Sequence, residues 1–194
     1  IDSPTRGLSV SRNLALAHAS ADICVVADDD EWFEADLLRI INQGYAQCPQ
    51  ADVLIFTVGN RPVKFGGKPR KLKKWELLKI NSVRLTFRRE SILNKHIAFD
   101  VLLGSGTGNG PGEENKFVLD CYKKGLQIFF VPLKIATVLD THSNWFYGYD
   151  KAFFYNRGKS TRYVYGFWFA CIYGLYFLAA KYPLYKKTVS AAQA

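Results

Sequence analysis

Residues 22–30 read Asp22-Ile-Cys-Val-Val-Ala-Asp-Asp-Asp30, and this stretch is the clearest indication of the fold. The apolar run at its centre is β-branched at three positions, which is typical of a short buried strand. The strand ends in three adjacent aspartates, Asp28, Asp29 and Asp30. Because ligands of α/β sheets bind beyond the carboxyl ends of the strands, we expect this triplet to face a ligand.

Helices and strands alternate outward from this stretch. Ser9 is expected to cap the first helix, and Pro132 is expected to end the last strand. The predicted elements are helices over 11–19, 34–47 and 113–124 and strands over 22–27, 52–58, 83–88 and 127–131. Such alternation favours an α/β sandwich with a largely parallel sheet.

Composition limits the classes of protein that are compatible with the chain. Its 194 residues are 48% hydrophobic, which suffices for one globular core. The sequence begins at Ile1 and contains no Met, so we expect an N-terminal part to be missing. Four dispersed cysteines without a CxxC pair favour a reducing, cytoplasmic setting.

The net charge of +9 suits nucleic acid, an anionic membrane or a phosphorylated substrate, and charge alone does not choose among them. Seven of the basic residues lie between Arg61 and Lys74, with no acid among them. A solvated basic loop is the alternative interpretation of this run.

The aspartate triplet predicts a metal site. Adjacent carboxylates repel one another unless a cation or backbone donors compensate, and oxygen ligands of this kind suit Mg²⁺ or Mn²⁺. A metal bound together with a diphosphate is therefore the expected occupant. A turn that caps the next helix is the alternative.

A second group of acids follows a glycine-rich loop. Residues 104–112 contain five glycines and lead into Glu113 and Glu114. The loop lacks the Gly-Lys-Ser/Thr ending of a phosphate-binding loop, and two glutamates at a helix start would repel phosphate. A loop beside a carboxylate base fits better, although acids are also common in first turns because the helix dipole favours them.

Four segments together resemble a known family of enzymes. They are Gly7-Leu-Ser-Val-Ser-Arg-Asn13, residues 22–30, Gly112-Glu-Glu-Asn-Lys-Phe117 and Lys124-Gly-Leu-Gln-Ile128. Their order and spacing, over roughly residues 6 to 160, resemble those of the family-2 glycosyltransferases with the GT-A fold. The resemblance implies a three-layer α/β/α sandwich with a mostly parallel mixed sheet over 1–160, followed by a C-terminal apolar helix and basic tail over 161–194.

The resemblance also assigns roles to residues. It implies that Arg12, Asn13, Asp28 and Asp29 meet a nucleotide sugar and that Asp30, with Asp28, binds Mn²⁺ or Mg²⁺. It makes Glu113 or Glu114 the catalytic base and leaves the choice between them open, because this sequence has Glu where the family usually has Asp. The family's first strands, which bind the base and ribose, have no counterpart in the chain.

Several further residues are candidates from their chemistry and position. His142 is a candidate metal or phosphate ligand, and Arg157 is a candidate partner of the diphosphate. Gly106 and Gly108 in the glycine-rich loop, together with Trp145, are predicted to contact the acceptor. Structural roles are the alternative for each.

Residues 163–180 form an uncharged apolar stretch of 18 residues, the lower limit for crossing a bilayer. A spanning helix, an interfacial helix and a buried domain helix are all compatible with it. The resemblance, taken together with these features, implies a metal-dependent, inverting hexosyltransferase at the inner face of the cell membrane. It would move sugar from a nucleotide-diphosphate donor to a glycan or lipid-linked glycan hydroxyl in surface polysaccharide or lipopolysaccharide synthesis. The alternatives are a non-enzymatic membrane-surface module and a nucleic-acid-binding module.

Overall fold

The structure is a computed structural model that describes residues 5–59, 65–107, 109–138 and 148–190. Its helices are α1 (Leu8–His18), α2 (Leu37–Gln47), α3 (Arg89–Asn94), α4 (Glu113–Lys123), α5 (Lys151–Tyr165) and α6 (Phe167–Tyr185). Its strands are β1 (Ile23–Val25), β2 (Glu31–Phe33), β3 (Val53–Val58), β4 (Arg70–Lys71), β5 (Leu85–Arg88) and β6 (Ile128–Val138). Two 3₁₀ turns, Lys74–Lys79 and Ser82–Arg84, precede β5.

The strands form one mixed sheet in the order β1-β5-β3-β6-β2, with β4 paired to β6. Within the described residues the β3–β6 pair is parallel, and the other pairs are antiparallel. The expected α/β class and mixed sheet are confirmed, but the expected mostly parallel pairing is not. The reason is that β5 inserts between β1 and β3, so these two strands run in the same direction without being neighbours.

Helices cover both faces of the sheet, which confirms the three-layer arrangement. Alternate residues of β3 point to opposite sides, so Val53 and Ile55 join one core and Leu54 and Phe56 join the other. The first core packs against α1 and α4, and the second packs against α2. On α2, Gly44 lies so close to β3 that an added Cβ would stand 2.8 Å from the Phe56 ring.

Three local expectations are wrong. Ser9 does not cap α1; Gly7 is the N-cap, and the buried Ser9 hydroxyl donates to the Leu103 carbonyl at 2.8 Å. The helix expected over 34–47 begins at Leu37, because residues 31–33 pair with β6 as a strand. Pro132 lies inside β6, at a register irregularity of the β3–β6 ladder, where its missing N–H costs no regular ladder bond.

The expected single C-terminal helix is divided into α5 and α6 at Gly166, whose φ of +91° departs from the helix. Helix α5 runs through position 160, the predicted domain boundary, and that division stays a prediction. Among the described residues, no helix is both long enough and apolar enough to cross a membrane.

Candidate active site

The guanidinium of Arg12 on α1 joins the two groups of acids that the sequence singled out. One amino nitrogen, Nη2, lies 2.7 Å from Asp28 Oδ1, and the other, Nη1, lies 3.0 Å from Glu114 Oε1. The same Nη1 is 3.6 Å from Glu113 Oε1. Only 9% of the Arg12 side chain is exposed, so these pairs are largely shielded from water and salt.

Asp28 follows β1 and is held from two sides. Arg12 binds one carboxylate oxygen, and the Ser82 hydroxyl, from the 3₁₀ turn before β5, donates to the other. Asp28 is therefore oriented by residues that lie far from it in sequence. Its side chain still keeps 28% of its surface exposed, which leaves it accessible to a ligand.

Asp28, Asp30 and Glu31 form an acidic cluster whose ligand oxygens all lie within 4.8 Å of one another. Glu31 begins β2, and its pairing opposite Val138 of β6 fixes its backbone beside the aspartates. Both Glu31 carboxylate oxygens are buried, and neither has a hydrogen-bond partner of good geometry among the described residues. Three carboxylates this close together, one of them with two unpartnered oxygen atoms, are a donor set that suits Mg²⁺ or Mn²⁺.

The electrostatics of the cluster also favour a bound cation. Burial, followed by the negative charge of Asp28, raises the pKa of Glu31 to about 8. The backbone of Asp28 and the charge of Arg12 offset part of this rise. A divalent cation would offset this repulsion and lower the pKa of Glu31 again.

Glu113 and Glu114 begin α4 but have different surroundings. Glu113 is 2% exposed, and its Oε2 accepts from the Gly112 backbone N–H at 2.9 Å. Its carboxyl carbon also packs against Gly104, where an added Cβ would stand 3.1 Å away. The Glu114 side chain is 13% exposed and is oriented by Arg12. Of the two side chains, that of Glu114 is the more exposed.

The Glu114 carboxylate is poised to take up a proton near neutral pH. Burial and the neighbouring Glu113 carboxylate raise the pKa of Glu114 to about 7, and the Arg12 charge offsets only part of the rise. A general base is most effective when its pKa lies near the working pH. The arrangement is chemically suited to proton abstraction beside a cation-binding site.

Two asparagines fix the elements that carry these groups. Asn13 clamps the backbone of Phe99 by donating to its carbonyl and accepting from its N–H, both at 2.8 Å. Asn115 donates to the carbonyls of Leu77 and Ile80 at 3.0 and 2.9 Å. The start of α4 is thereby tied to the segment that also carries Ser82.

The structure places the other predicted residues as follows. Asp29 is exposed to solvent and lies outside the acidic cluster. Arg157 donates to the Tyr173 hydroxyl at 2.9 Å and lies over the Phe177 ring, on α6. Gly106 packs against the backbone of Gly7. Gly108, His142 and Trp145 lie outside the described residues, and the predicted roles of all six stay predictions.

Sequence reasoning missed two residues of the site, Glu31 and Ser82. Glu31 directly follows the aspartate triplet, and counting it as a fourth adjacent acid would have found it. No local signal marks Ser82, because its partner Asp28 is 54 residues away in the chain.

A family model described as glycosyl transferase family 2 matches residues 1–105. No curated protein matches the sequence.

Solved structures of TarS from S. aureus are similar in fold. TarS 1-349 in complex with UDP-GlcNAc superposes with a TM-score of 0.59 at 16% identity, covering 81% of this chain and 46% of that one. The complex of the same protein with UDP gives 0.57 at 17% identity, covering 80% and 44%. The chain thus spans less than half the length of these structures.

Proposed function

The chain belongs to glycosyl transferase family 2, as its motifs indicated, and from this we propose that it transfers a sugar from a nucleotide-diphosphate donor to an acceptor hydroxyl. The observation that carries the proposal is the Arg12 bridge between Asp28 and Glu114. In this proposal the acidic cluster holds the metal and Glu114 is the base, and the guanidinium of Arg12 lies between them. The fold shared with TarS, which was solved with UDP and with UDP-GlcNAc, is consistent with such a donor.

The donor side of the site is the acidic cluster. Asp28, Asp30 and Glu31 would hold Mn²⁺ or Mg²⁺, and such an ion supplies positive charge to a leaving diphosphate. Arg12 adds a fixed positive charge next to Asp28, and Ser82 keeps the Asp28 carboxylate in position. In this proposal Asp29 and Arg157 also contact the donor, and they contribute less to its binding than the acidic cluster does.

The acceptor side is Glu114. Its carboxylate takes the proton of the acceptor hydroxyl while the acceptor oxygen forms a bond to the anomeric carbon. The bond from that carbon to the diphosphate oxygen breaks, and the nucleoside diphosphate leaves with the electron pair. A single displacement of this kind inverts the anomeric configuration. Glu113 keeps the glycine-rich loop in place through Gly112.

We also propose that the acceptor is a glycan or lipid-linked glycan at the inner face of the cell membrane, in surface polysaccharide or lipopolysaccharide synthesis. The glycine-rich loop is the natural acceptor contact, since it leads directly into Glu113 and Glu114. It is also held by α5, whose Ser160 hydroxyl donates to the Pro111 carbonyl at 2.8 Å.

The test is calorimetric titration of UDP and other nucleoside diphosphates, with and without Mn²⁺. We expect binding that needs the metal and is weakened at least tenfold in Asp30→Ala and in Glu31→Gln. The matched control is Asp36→Ala, which removes an exposed carboxylate paired with Arg39 outside the cluster. Nucleotide binding that ignores both the metal and Asp30 would overturn the donor site.

The same variants separate the alternative functions. A nucleic-acid-binding module would bind oligonucleotides with a steep dependence on salt and would be indifferent to Asp30→Ala. A transferase releases nucleoside diphosphate from a nucleotide sugar only when an acceptor hydroxyl or water takes the sugar, and this release should be lost in Asp30→Ala.

A further inference from the structure

Helix α6 exposes one continuous apolar side. Trp168, Ile172, Leu175 and Tyr176 are 78%, 70%, 70% and 66% exposed and recur at intervals of three and four residues. Side chains at this spacing lie on one side of a helix, here called the α6 outer face. Large exposed apolar patches on a protein surface mark sites of interaction.

The opposite side of α6 already has its partner inside the molecule. Tyr185 is 1% exposed and packs edge-on against Phe154 of α5, with ring centroids 5.0 Å apart. Arg157 of α5 lies over Phe177 and donates to the Tyr173 hydroxyl. The inner face thus holds α6 on α5, and the outer face is left exposed to solvent.

The charge of this region shows what kind of partner the outer face fits. After Asp150 the chain contains no acidic residue, and the basic residues that follow are Lys151, Arg157, Lys159, Arg162, Lys181, Lys186 and Lys187. The Arg162 guanidinium lies 5.4 Å from the Phe167 ring centroid, so positive charge borders the start of α6. Lys186 and Lys187 border its end. Exposed apolar and aromatic side chains with basic residues at both ends match an anionic lipid surface.

A basic groove runs along α5. It is shallow and open to solvent, and basic and aromatic side chains of α5 line it. They include Lys151, Tyr155, Lys159 and Arg162, a combination that suits a phosphate headgroup. Lys159 also donates to Asn109 Oδ1 at 2.6 Å, so the groove borders the glycine-rich loop.

We propose that α5 and α6 bind in the plane of an anionic membrane surface, with the α6 outer face among the acyl chains and the basic residues at the lipid phosphates. Docking in this way brings the glycine-rich loop, and with it Glu114, to the membrane surface. This membrane binding is inferred from the exposed side chains of α5 and α6 and does not depend on the proposed transfer reaction.

The test is co-sedimentation of the protein with vesicles of phosphatidylcholine and with vesicles of equal parts phosphatidylcholine and phosphatidylglycerol. The unchanged protein is expected to bind the anionic vesicles without nucleotide. Trp168→Ser with Leu175→Ser should weaken that binding about a hundredfold, since each side chain loses its apolar burial. The matched control, Trp75→Ser with Leu38→Ser, removes the same exposed residue types elsewhere and should bind normally.

A second pair of variants tests the charges. Lys186→Gln with Lys187→Gln should weaken binding to anionic vesicles about thirtyfold, since each basic residue near the surface contributes roughly a fivefold factor. Binding to pure phosphatidylcholine should not change. Lys95→Gln with Lys123→Gln, at exposed positions elsewhere, is the charge-matched control.

Circular dichroism of each variant establishes that it is folded. Failure of the unchanged protein to bind anionic vesicles would overturn the proposal. Equal loss in the Trp75→Ser/Leu38→Ser control would do the same. So would self-association without lipid that Trp168→Ser/Leu175→Ser abolishes, because the outer face would then be an interface between copies of the chain.

Discussion

Arg12 contacts both groups of acids in the site. A planar guanidinium can bind two carboxylates at once, which the single ammonium of a lysine does less well. The Asp28 and Glu114 contacts at 2.7 and 3.0 Å use both of its amino nitrogens. The positions of the Asp28 and Glu114 carboxylates are therefore coupled through one residue.

Glu114 and Glu113 should respond differently to loss of charge. Glu114→Gln is expected to lower kcat by about 10²- to 10⁴-fold, the usual contribution of a general base, with a smaller change in donor KM. Glu113→Gln should mainly lower the free energy of unfolding, since its carboxylate is buried against the Gly112 N–H. Steady-state kinetics and urea titration check this. The reverse pattern would exchange the two roles.

Stability should depend on pH through Glu114. Its pKa is raised from 4.5 to about 7 in the folded protein, so the folded state holds this proton more tightly than the unfolded state does. The resulting stabilisation is complete at pH values below 4.5 and is lost as the pH rises to about 7. Its limiting slope is about 1.4 kcal/mol per pH unit.

Urea unfolding across this range should show Glu114→Gln gaining stability relative to the unchanged protein as the pH rises. Glu90→Gln, at an exposed position on α3, is the control and should follow the unchanged protein. Parallel curves for Glu114→Gln and the unchanged protein would contradict the raised pKa.

Helix α1 acts as the element that aligns the site. Its polar residues reach three different segments: Ser9 binds Leu103, Arg12 binds the acids, and Asn13 binds Phe99. These bonds fix the position of the helix relative to the loop before α4. Only Ser9 and Leu16 of this helix are buried, so directed hydrogen bonds hold it in place as well as packing.

Loss of the Asn13 hydrogen bonds to Phe99 should weaken the attachment of α1 to the rest of the fold. Asn13→Ala leaves the Phe99 N–H and carbonyl without their side-chain partner, which should lower the free energy of unfolding by about 3 kcal/mol. Asn94→Ala, at an exposed position on α3, is the matched control and should cost less than about 0.5 kcal/mol. Unchanged stability with weaker nucleotide binding would instead support a direct donor contact for Asn13.

At the scale of the whole molecule, stability should be highest in the middle of the sheet. Strand β3 is nearly all buried and has a hydrogen-bonded neighbour on each side, whereas β1 and β2 stand at the ends of the described order. Hydrogen exchange of the backbone amides should therefore be slowest in β3 and much faster in β1 and β2. Exchange in β1 as slow as in β3 would contradict this gradient.

Features of the fold and site that depend only on a short stretch of sequence were predictable. The buried run of β3, the acids at the start of α4 and the aspartates after β1 all follow from short patterns, and the structure has each in its expected element. Pro132 was misjudged because its tolerance depends on a register irregularity in a ladder with β3. Periodicity within one segment holds no information about its neighbour's register.

The α/β class, the family and four acids of the site, Asp28, Asp30, Glu113 and Glu114, follow from the sequence, because they depend on the order and chemistry of short segments. Only the folded structure shows that β5 lies between β1 and β3, that Arg12 joins Asp28 to Glu114, and that the Glu114 side chain is more exposed than that of Glu113. Each of these depends on contacts between residues that are far apart in the chain. Such contacts form only when the whole sheet and its helices pack together.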